Sequence, residues 1–321
     1  MSMVKELELL HIKGLVKMKV VYGHTDSIYV QIDSVEKAQE AIKEIEASVR
    51  EHFPNILGLQ EHPVVLEFEK YFDALGVGTV KNRNAGMITW EDGEWLDEPK
   101  FIMTGFIAKR VSETKMAKEV QTKVLKMWAN KEPMEKINAY LHRTYVSVKN
   151  GNYDFKKLVK RTRLRPERFT VKCPDCSRKY NLKELTKITV CGQNEGKNGI
   201  HKCGEPVSSF TTVEGKKATI GSGVAGVINA WQNNNTNFDD SYVFLKVKNS
   251  NMTYVNPLTK EVKPAEFISG TIFADFKDFT PDWEHYAQQV IDKAKPVYES
   301  MGWDLSAIRT GRIQKSLEEW F

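Results

Sequence analysis

The sequence has no uninterrupted apolar run near the roughly 18 residues that a membrane-spanning helix needs. At the amino terminus, Glu6 and Glu8 lie where a secretory signal would require an unbroken apolar region, so no targeting segment is predicted. The chain has only 4 cysteines, all between residues 173 and 203, which excludes a disulfide framework spread through a small secreted fold. These absences predict a cytoplasmic protein with no membrane contact.

Length, composition and charge indicate a globular chain with a local charge cluster. Its 321 residues correspond to about two domains, and 41% are hydrophobic. Residues 156–168 hold seven basic residues and one acidic residue, whereas the whole chain carries only +5. The remainder is therefore close to neutral, and the cluster favours contact with a polyanion over general solubility. A solvated charged face is the alternative.

Hydrophobic periodicity predicts an α+β fold. The first part contains a helix up to Gly14, a hairpin made by VKMKVVYG and IYVQID, and a helix capped by Ser34. VVLEFEKYF and GMITWEDGEWL are predicted to be further strands. From Ser112 the pattern changes to long helices, with QNNNTNFDD as a loop, a helix from Pro281 to Gly302, and a basic linker from Leu305.

The hairpin tip YGHTDSIYV presents a carboxylate between two strands, which suits a magnesium ion and its bound triphosphate. A turn whose Asp and Ser only bind turn amides is the alternative. The segment resembles motif C of family B DNA polymerases, usually YGDTDS. The resemblance implies that Asp26 binds catalytic Mg²⁺ and that the other tip residues form the turn: Tyr22, Gly23, His24, Thr25 and Ser27. His24 replaces the first aspartate and removes one negative charge, which should weaken metal binding.

The resemblance continues downstream. LEFEKYF is similar to the palm strand after motif C, so Glu67 and Glu69 are candidate carboxylates near the metals, or else ordinary exposed strand residues. KNRNAG resembles the KKRYAG segment that grips the primer duplex, and GFIAKRVSETKMAKEVQTKVL resembles the start of the thumb. The basic cluster falls in that thumb. The implied DNA contacts are Lys81, Arg83, Lys109, Arg110, Lys156, Lys157, Lys160, Arg161, Arg163 and Arg165.

The cysteines predict a metal site without any resemblance. Cys173 and Cys176 have the spacing of a knuckle that closes on one tetrahedral ion, and Cys191 and Cys203 supply a second pair. This second pair is spaced more widely than a standard knuckle, so His201 is an alternative fourth ligand. Four filled positions indicate structural Zn²⁺ and leave no open position for a zinc enzyme. Buried or reactive thiols are the remaining alternative.

The last eight residues, QKSLEEWF, have the form of a sliding-clamp-binding peptide. In such a peptide one helical turn inserts a leucine and two aromatic side chains into an apolar pocket of the sliding clamp. The expected partner is therefore the sliding clamp PCNA. The corresponding residues are Gln314, Leu317, Trp320 and Phe321. A terminal strand that docks on the chain's own core is the alternative.

No segment resembles the family's motifs A or B or its exonuclease motifs. The resemblance therefore implies the carboxy-terminal portion, or the small subunit, of an archaeal-type replicative polymerase that acts with a large subunit on primer-template DNA and dNTP. The expected location is the cytoplasmic nucleoid. The alternative is a noncatalytic, zinc-stabilised DNA-binding subunit tethered to the clamp. The predicted regions are 1–104 palm, 105–170 thumb helices, 171–206 zinc insertion, 207–306 remaining thumb and 307–321 flexible tail.

Overall fold

The computed structural model describes residues 19–23, 27–53, 55–78, 82–106, 113–163, 169–193, 203–234, 241–248, 251–270, 276 and 278–313. Within these ranges the helices are α1 (Val35–His52), α2 (Lys115–Ala129), α3 (Met134–Lys149), α4 (Leu182–Lys187), α5 (Ser222–Asn234), α6 (Trp283–Met301) and α7 (Ser306–Thr310). The predicted helix before Gly14 lies outside the described residues. The helices and small sheets together confirm a mixed α and β fold.

The strands form five small sheets in the described ranges. They are β1 (Lys19–Gly23), β2 (Ile28–Gln31), β3 (Lys70–Val77), β4 (Asn84–Glu91), β5 (Glu94–Thr104), β6 (Lys160–Arg163), β7 (Thr170–Lys172), β8 (Lys179–Asn181), β9 (Thr211–Thr212), β10 (Ser241–Lys246), β11 (Thr253–Val255), β12 (Val262–Pro264) and β13 (Phe267–Gly270). No helix in the described part of the chain is long and apolar enough to cross a bilayer.

The predicted hairpin and its packing helix are confirmed. Strands β1 and β2 pair antiparallel, and the Ser34 hydroxyl accepts a hydrogen bond from the Lys37 amide at the start of α1. Helix α1 buries Ile45 and Val49 against Val20 and other apolar side chains of the hairpin. The apolar stripe of α1 therefore covers one face of the two-stranded sheet, which would be marginal alone.

The segment before β3 differs from the expectation of a strand beginning at Val64. Strand β3 begins only at Lys70. Helix α1 supplies hydrogen-bond partners for residues 64–69, because the Leu66 amide donates to the Glu46 carboxylate at 2.7 Å and Arg50 Nε donates to the Val64 carbonyl at 2.9 Å. Side chains of a helix thus replace a neighbouring strand.

Strands β3, β4 and β5 form an antiparallel sheet that joins the largest core. The strands predicted in GMITWEDGEWL are confirmed, and a turn with Gly93 at φ 97° joins them. Ala85 of β4 is buried in the same core as Val120 and Val124 of α2. The core therefore extends across the predicted boundary at residue 104.

Helices α2, α3 and α6 confirm their predicted apolar faces. Buried residues recur at helical spacing in each of them, and Gly302 ends α6 with a left-handed φ of 68°. The buried Asn138 of α3 links this helix to α6 and α7: its carboxamide accepts from the Tyr298 hydroxyl at 2.9 Å and donates to the Ala307 carbonyl at 3.1 Å. These polar contacts satisfy groups that would be costly to bury alone.

The expected linker from Leu305 is wrong at its beginning. Residues Ser306–Thr310 form α7, in which Ala307 and Ile308 are fully buried. His142 of α3 also forms a hydrogen bond with the Ile308 carbonyl at 2.9 Å. This short helix belongs to the folded core because burial and tertiary hydrogen bonds compensate for its low intrinsic stability.

The second half contains more sheet than the mainly helical expectation. Strand β10 lies between β6 and β13, and its Tyr242 and Phe244 join a core with α5. Helix α5 continues to Asn234, so it includes the first three residues of the predicted loop QNNNTNFDD. Asn233 of that segment donates to the Asn229 and Thr253 carbonyls, which gives its polar side chain partners inside the fold.

Candidate nucleic-acid interface and metal centre

The described residues on either side of the YGHTDSIYV turn belong to two paired strands. Gly23 pairs with Ile28, so residues 24–27 connect the strands. Several predicted site residues lie outside the described residues, and their roles stay predictions. They are His24, Thr25, Asp26, Lys81, Lys109, Arg110, Arg165, His201, Gln314, Leu317, Trp320 and Phe321.

The hairpin is joined to the KNRNAG turn by one tyrosine. The Tyr22 hydroxyl donates to Asn82 Oδ1 at 3.1 Å and accepts from the Asn82 amide at 3.1 Å. Asn82 has a left-handed φ of 62°, a conformation that asparagine tolerates better than most residues. A Cβ on Gly105 would lie 1.8 Å from the Asn82 carbonyl oxygen. Sequence comparison marks Asn82 only as a departure from the family's lysine, whereas its contact orients the hairpin.

The two candidate palm glutamates point to solvent. In residues 64–69 the alternate side chains Val64, Leu66 and Phe68 are partly buried, and Phe68 stacks on the Trp90 ring with centroids 4.4 Å apart. Glu67 and Glu69 alternate with them and are exposed. Glu69 is 3.3 Å from Lys70 Nζ. Both carboxylates are therefore accessible to a ligand. Asp26, the predicted metal ligand, lies outside the described residues.

Intramolecular ion pairs divide the described basic side chains of the cluster, at residues 156–161, into two groups. Lys157 Nζ lies 2.8 Å from the Glu119 carboxylate, and Lys160 Nζ lies 3.7 Å from that of Glu113. These pairs connect the cluster to α2 and its preceding turn. Lys156 and Arg161 are exposed and form no ion pair with other described residues. The charge available for a polyanion at 156–161 therefore belongs mainly to these two side chains.

A lysine stripe on α2 was missed by the sequence analysis. Lys115 and Lys126 are exposed and Lys118 is half-exposed, and none of the three forms an ion pair within the described ranges. Their spacing places them on one helical face. The stripe borders an open groove of about 480 Å³, whose lining residues are Lys118, Glu119, Thr122, Lys123, Lys126 and Tyr140. The lysine spacing in KMAKEVQTKVLK was the available signal for this surface.

The four cysteines converge on one point. Their Sγ atoms all lie within 4.8 Å of one another. Cys173 Sγ is 3.6 Å from that of Cys203, and Cys176 Sγ is 3.4 Å from that of Cys191. Four sulfurs at about 2.3 Å from a tetrahedral Zn²⁺ are separated by about 3.8 Å, so the cluster has nearly the required size. The donor set and its dimensions fit zinc.

Tight backbone turns hold the thiols in place. Ser177 follows the first pair at φ 60°, and its amide donates to the Cys173 carbonyl at 3.0 Å. In the second pair the Cys191 amide donates to the Glu205 carbonyl, and the Gly204 amide donates to the Cys191 carbonyl. Burial raises the pKa of the Cys191 thiol, so four metal-free thiolates would be unfavourable here. A divalent cation would reverse that preference.

Comparison with known proteins identifies the family. The sequence model of DNA polymerase family B matches residues 2–300. The chain belongs to DNA polymerase family B. The resemblance carried by YGHTDSIYV is thereby confirmed. No curated protein matches the chain.

A family B DNA polymerase from the hyperthermophilic archaeon Pyrobaculum calidifontis has a similar fold, with a TM-score of 0.51 and 15% sequence identity. The match covers 91% of this chain and 28% of that structure. The chain therefore spans a little over a quarter of the length of that family B structure, and at this identity the likeness concerns the fold alone.

Proposed function

We propose that this chain is the carboxy-terminal portion or small subunit of a replicative DNA-directed DNA polymerase, active with a partner chain that carries motifs A and B. The family match over residues 2–300 is the observation that carries this proposal. The paired hairpin supports it, because β1 and β2 pair on either side of the segment 24–27, where the sequence predicts motif C. A two-metal site needs carboxylates from both sides, and the partner would supply the second set.

Asp26 is the proposed metal ligand in this composite site. Its carboxylate is the type of hard oxygen donor that Mg²⁺ prefers. Bound magnesium would supply electrostatic stabilisation of the triphosphate and of the attacking 3′ oxygen. The protein's contribution is to hold the tip, and the Tyr22 to Asn82 hydrogen bonds do so by joining the hairpin to the β3–β4 turn. Glu67 and Glu69 are exposed and are further candidate carboxylates near the metals.

Duplex DNA is the proposed ligand of the thumb. Lys156 and Arg161 form no ion pair in the described chain, and the lysine stripe of α2 adds further positive charge. Unpaired basic side chains bind phosphates with release of counterions, so binding should weaken steeply with salt. Arg83 follows the Asn82 turn, and its carbonyl accepts from the Gly78 amide at 2.7 Å, which fixes the backbone of this predicted primer contact.

Zinc is proposed as a structural ion in the module formed by residues 169–193 and 203–220. The cysteines converge at nearly the spacing of a tetrahedral ZnS₄ site, and Cys173 and Cys191 are buried in the module's own small core. Four thiolates fill the coordination sphere and leave no position for a catalytic water. This choice favours Cys203 over His201, because Cys203 is the fourth member of the described cluster.

The composite site is tested by primer extension with magnesium, using this chain together with a partner that carries motifs A and B. Extension should require both chains and should disappear with Asp26→Ala. Asp33→Ala is the matched control, because Asp33 follows the same hairpin and its carboxylate accepts a solvent-exposed hydrogen bond from Lys37 at 2.7 Å. Extension by the pure chain alone, or full activity of Asp26→Ala, would contradict the proposal.

A noncatalytic role is favoured by one specific observation, His24 in place of the first motif C aspartate. The chain would then be a zinc-stabilised DNA-binding subunit that links the complex to a sliding clamp. In the extension assay this role predicts normal assembly and DNA binding with no effect of Asp26→Ala. His24→Asp distinguishes the two further, since restoring a carboxylate should increase metal affinity only where metal binds.

Clamp tethering is proposed for Gln314, Leu317, Trp320 and Phe321 from their spacing. The double change Trp320→Ala and Phe321→Ala should abolish clamp binding, measured by surface plasmon resonance, because it removes two apolar anchors. Lys315→Ala is a suitable control because it lies at a variable position of the pattern. Unchanged affinity of the double variant would remove this assignment.

A further inference from the structure

The zinc module carries a row of lysines that the polymerase interpretation does not use. Lys179 on β8 is directly opposite Lys172 on β7, and Lys172 is opposite Thr211 on β9. Thr211 is bridged in turn to Lys217. Residues directly opposite in antiparallel strands project to the same face. Lys179, Lys172 and Lys217 therefore form one row, which we call the lysine row.

The opposite face of this small sheet is its buried face. Val171 is 2% exposed and pairs with Tyr180, which is 8% exposed. Because side chains alternate along a strand, the lysine row lies on the outer face. Lys179 and Lys217 are exposed, and Lys172 is half-exposed. One face of the sheet therefore packs against the core, and the opposite face carries positive charge.

No acidic side chain in the described ranges forms an ion pair with this row. The module's nearby acids have other partners: Glu184 accepts from the Asn181 amide in the capping box of α4, and Glu214 accepts from the Thr212 hydroxyl. Like charges directly opposite each other destabilise a sheet. Lys172 and Lys179 are such a pair, so their placement is unfavourable for folding and calls for a compensating anion.

We propose that the lysine row is a second binding surface for the phosphate backbone of duplex DNA. The three lysines and Thr211 occupy four positions across neighbouring strands, which span about 14 Å at roughly 4.8 Å per step. Over that length one DNA strand presents about four phosphates, at 3.4 Å of helix axis each. The positive charge of the row and its total length therefore suit a short stretch of a polyanion. This inference rests on the proposed DNA-binding function and extends it to a module beyond the motif C hairpin and the helices.

Zinc would set the position of the row. Lys172 immediately precedes Cys173, and Lys179 follows the turn that contains Cys176 and Ser177. A metal that fixes both ends of this turn also fixes the register of Lys172 against Lys179. Lysine contacts of this kind are independent of base sequence, because they address phosphates alone.

The test uses the full chain with Lys172→Gln, Lys179→Gln and Lys217→Gln combined. Its matched control combines Lys37→Gln, Lys263→Gln and Lys295→Gln, which removes the same charge from lysines that already have acidic partners. Binding to a fluorescent blunt duplex is measured by anisotropy over a series of potassium chloride concentrations. Zinc content and circular dichroism verify that both variants fold.

The row variant should bind about ten- to a hundredfold more weakly. The slope of log K against log salt should fall in magnitude by about 2 to 3, at roughly 0.9 for each lost phosphate contact. The control should retain both values. An unchanged slope in a folded row variant overturns the inference, as does equally effective competition by polyglutamate.

The outcomes also separate this inference from the proposed function. Loss of binding confined to a variant with Lys156→Gln and Arg161→Gln would leave the DNA-binding function intact and overturn the lysine row. Absence of salt-dependent binding by the unmodified chain would overturn both.

Discussion

Removal of a single hydroxyl should loosen the hairpin formed by β1 and β2. In Tyr22→Phe the ring remains, but both hydrogen bonds to Asn82, each 3.1 Å long, are lost. A net value of about 0.5–1.5 kcal/mol for each bond, at the lower end for exposed groups, gives about 1–2 kcal/mol. The hairpin should open about 5- to 30-fold more often.

Hydrogen exchange of the β1 and β2 amides, measured by mass spectrometry, reports this local opening. Tyr29→Phe is the matched control on the opposite strand, because among the described residues its hydroxyl has only a 3.5 Å contact with Asn84 Nδ2. A hydrogen bond this long contributes little. Tyr29→Phe should therefore change exchange by less than about twofold.

A double-mutant cycle with Asn82→Gly isolates the interaction. Glycine keeps the left-handed backbone and the amide that donates to the Tyr22 hydroxyl, but it removes the carboxamide. The two changes should couple by about 0.5–1 kcal/mol. Additive effects, together with equal exchange in Tyr22→Phe and Tyr29→Phe, would refute the view that this contact holds the hairpin.

Three further outcomes are expected. Mass spectrometry of the purified native chain should show about one bound zinc ion. Cys176→Ser should release the zinc and unfold the module, because metal binding supplies folding energy. Full zinc content in that variant would contradict the proposed site. Burial acts to raise the pKa of the Glu113 carboxyl, but the ammonium groups of Lys293 and Lys160 lower this pKa below its usual value. The ionised Glu113 carboxylate therefore stabilises the fold at neutral pH, and this stabilisation is lost as the pH falls through the lowered pKa. Glu113→Gln should lower the free energy of unfolding, measured by urea denaturation, by about 1–3 kcal/mol at pH 7 and by much less near pH 3. Gly105→Ala should cost roughly 3 kcal/mol or more, since its Cβ would meet the Asn82 carbonyl at 1.8 Å, whereas Gly93→Ala, with open space around it, should cost only about 1 kcal/mol of backbone strain.

Local patterns were sufficient for the elements whose stability is local. Ser34 predicted the start of α1 because a serine cap and an apolar stripe lie within one segment, and apolar periodicity located α2, α3 and α6. The family was recognisable from the hairpin because nine consecutive residues carry the motif.

Elements that depend on distant partners could not be predicted in this way. Residues 64–69 have the alternation of a strand, but Glu46 and Arg50 of α1 take the place of a neighbouring strand. Helix α7 has too few residues for a periodic pattern, and its partners Asn138 and His142 lie more than 160 residues earlier in the chain. For the same reason the spacing of Cys191 and Cys203 left the fourth ligand open, whereas folding brings Cys203 to the cluster.

The burial of Ile308 limits the reach of the proposed clamp peptide. Ile308 is fully buried, and Gly311 is close to the His142 ring, where an added Cβ would lie 2.8 Å from Nε2. Only six residue steps separate Ile308 from Gln314, and a fully extended chain covers about 20 Å in that distance. A clamp bound at Gln314 would therefore be held close to helices α3 and α7 at a high effective concentration, and would move with them.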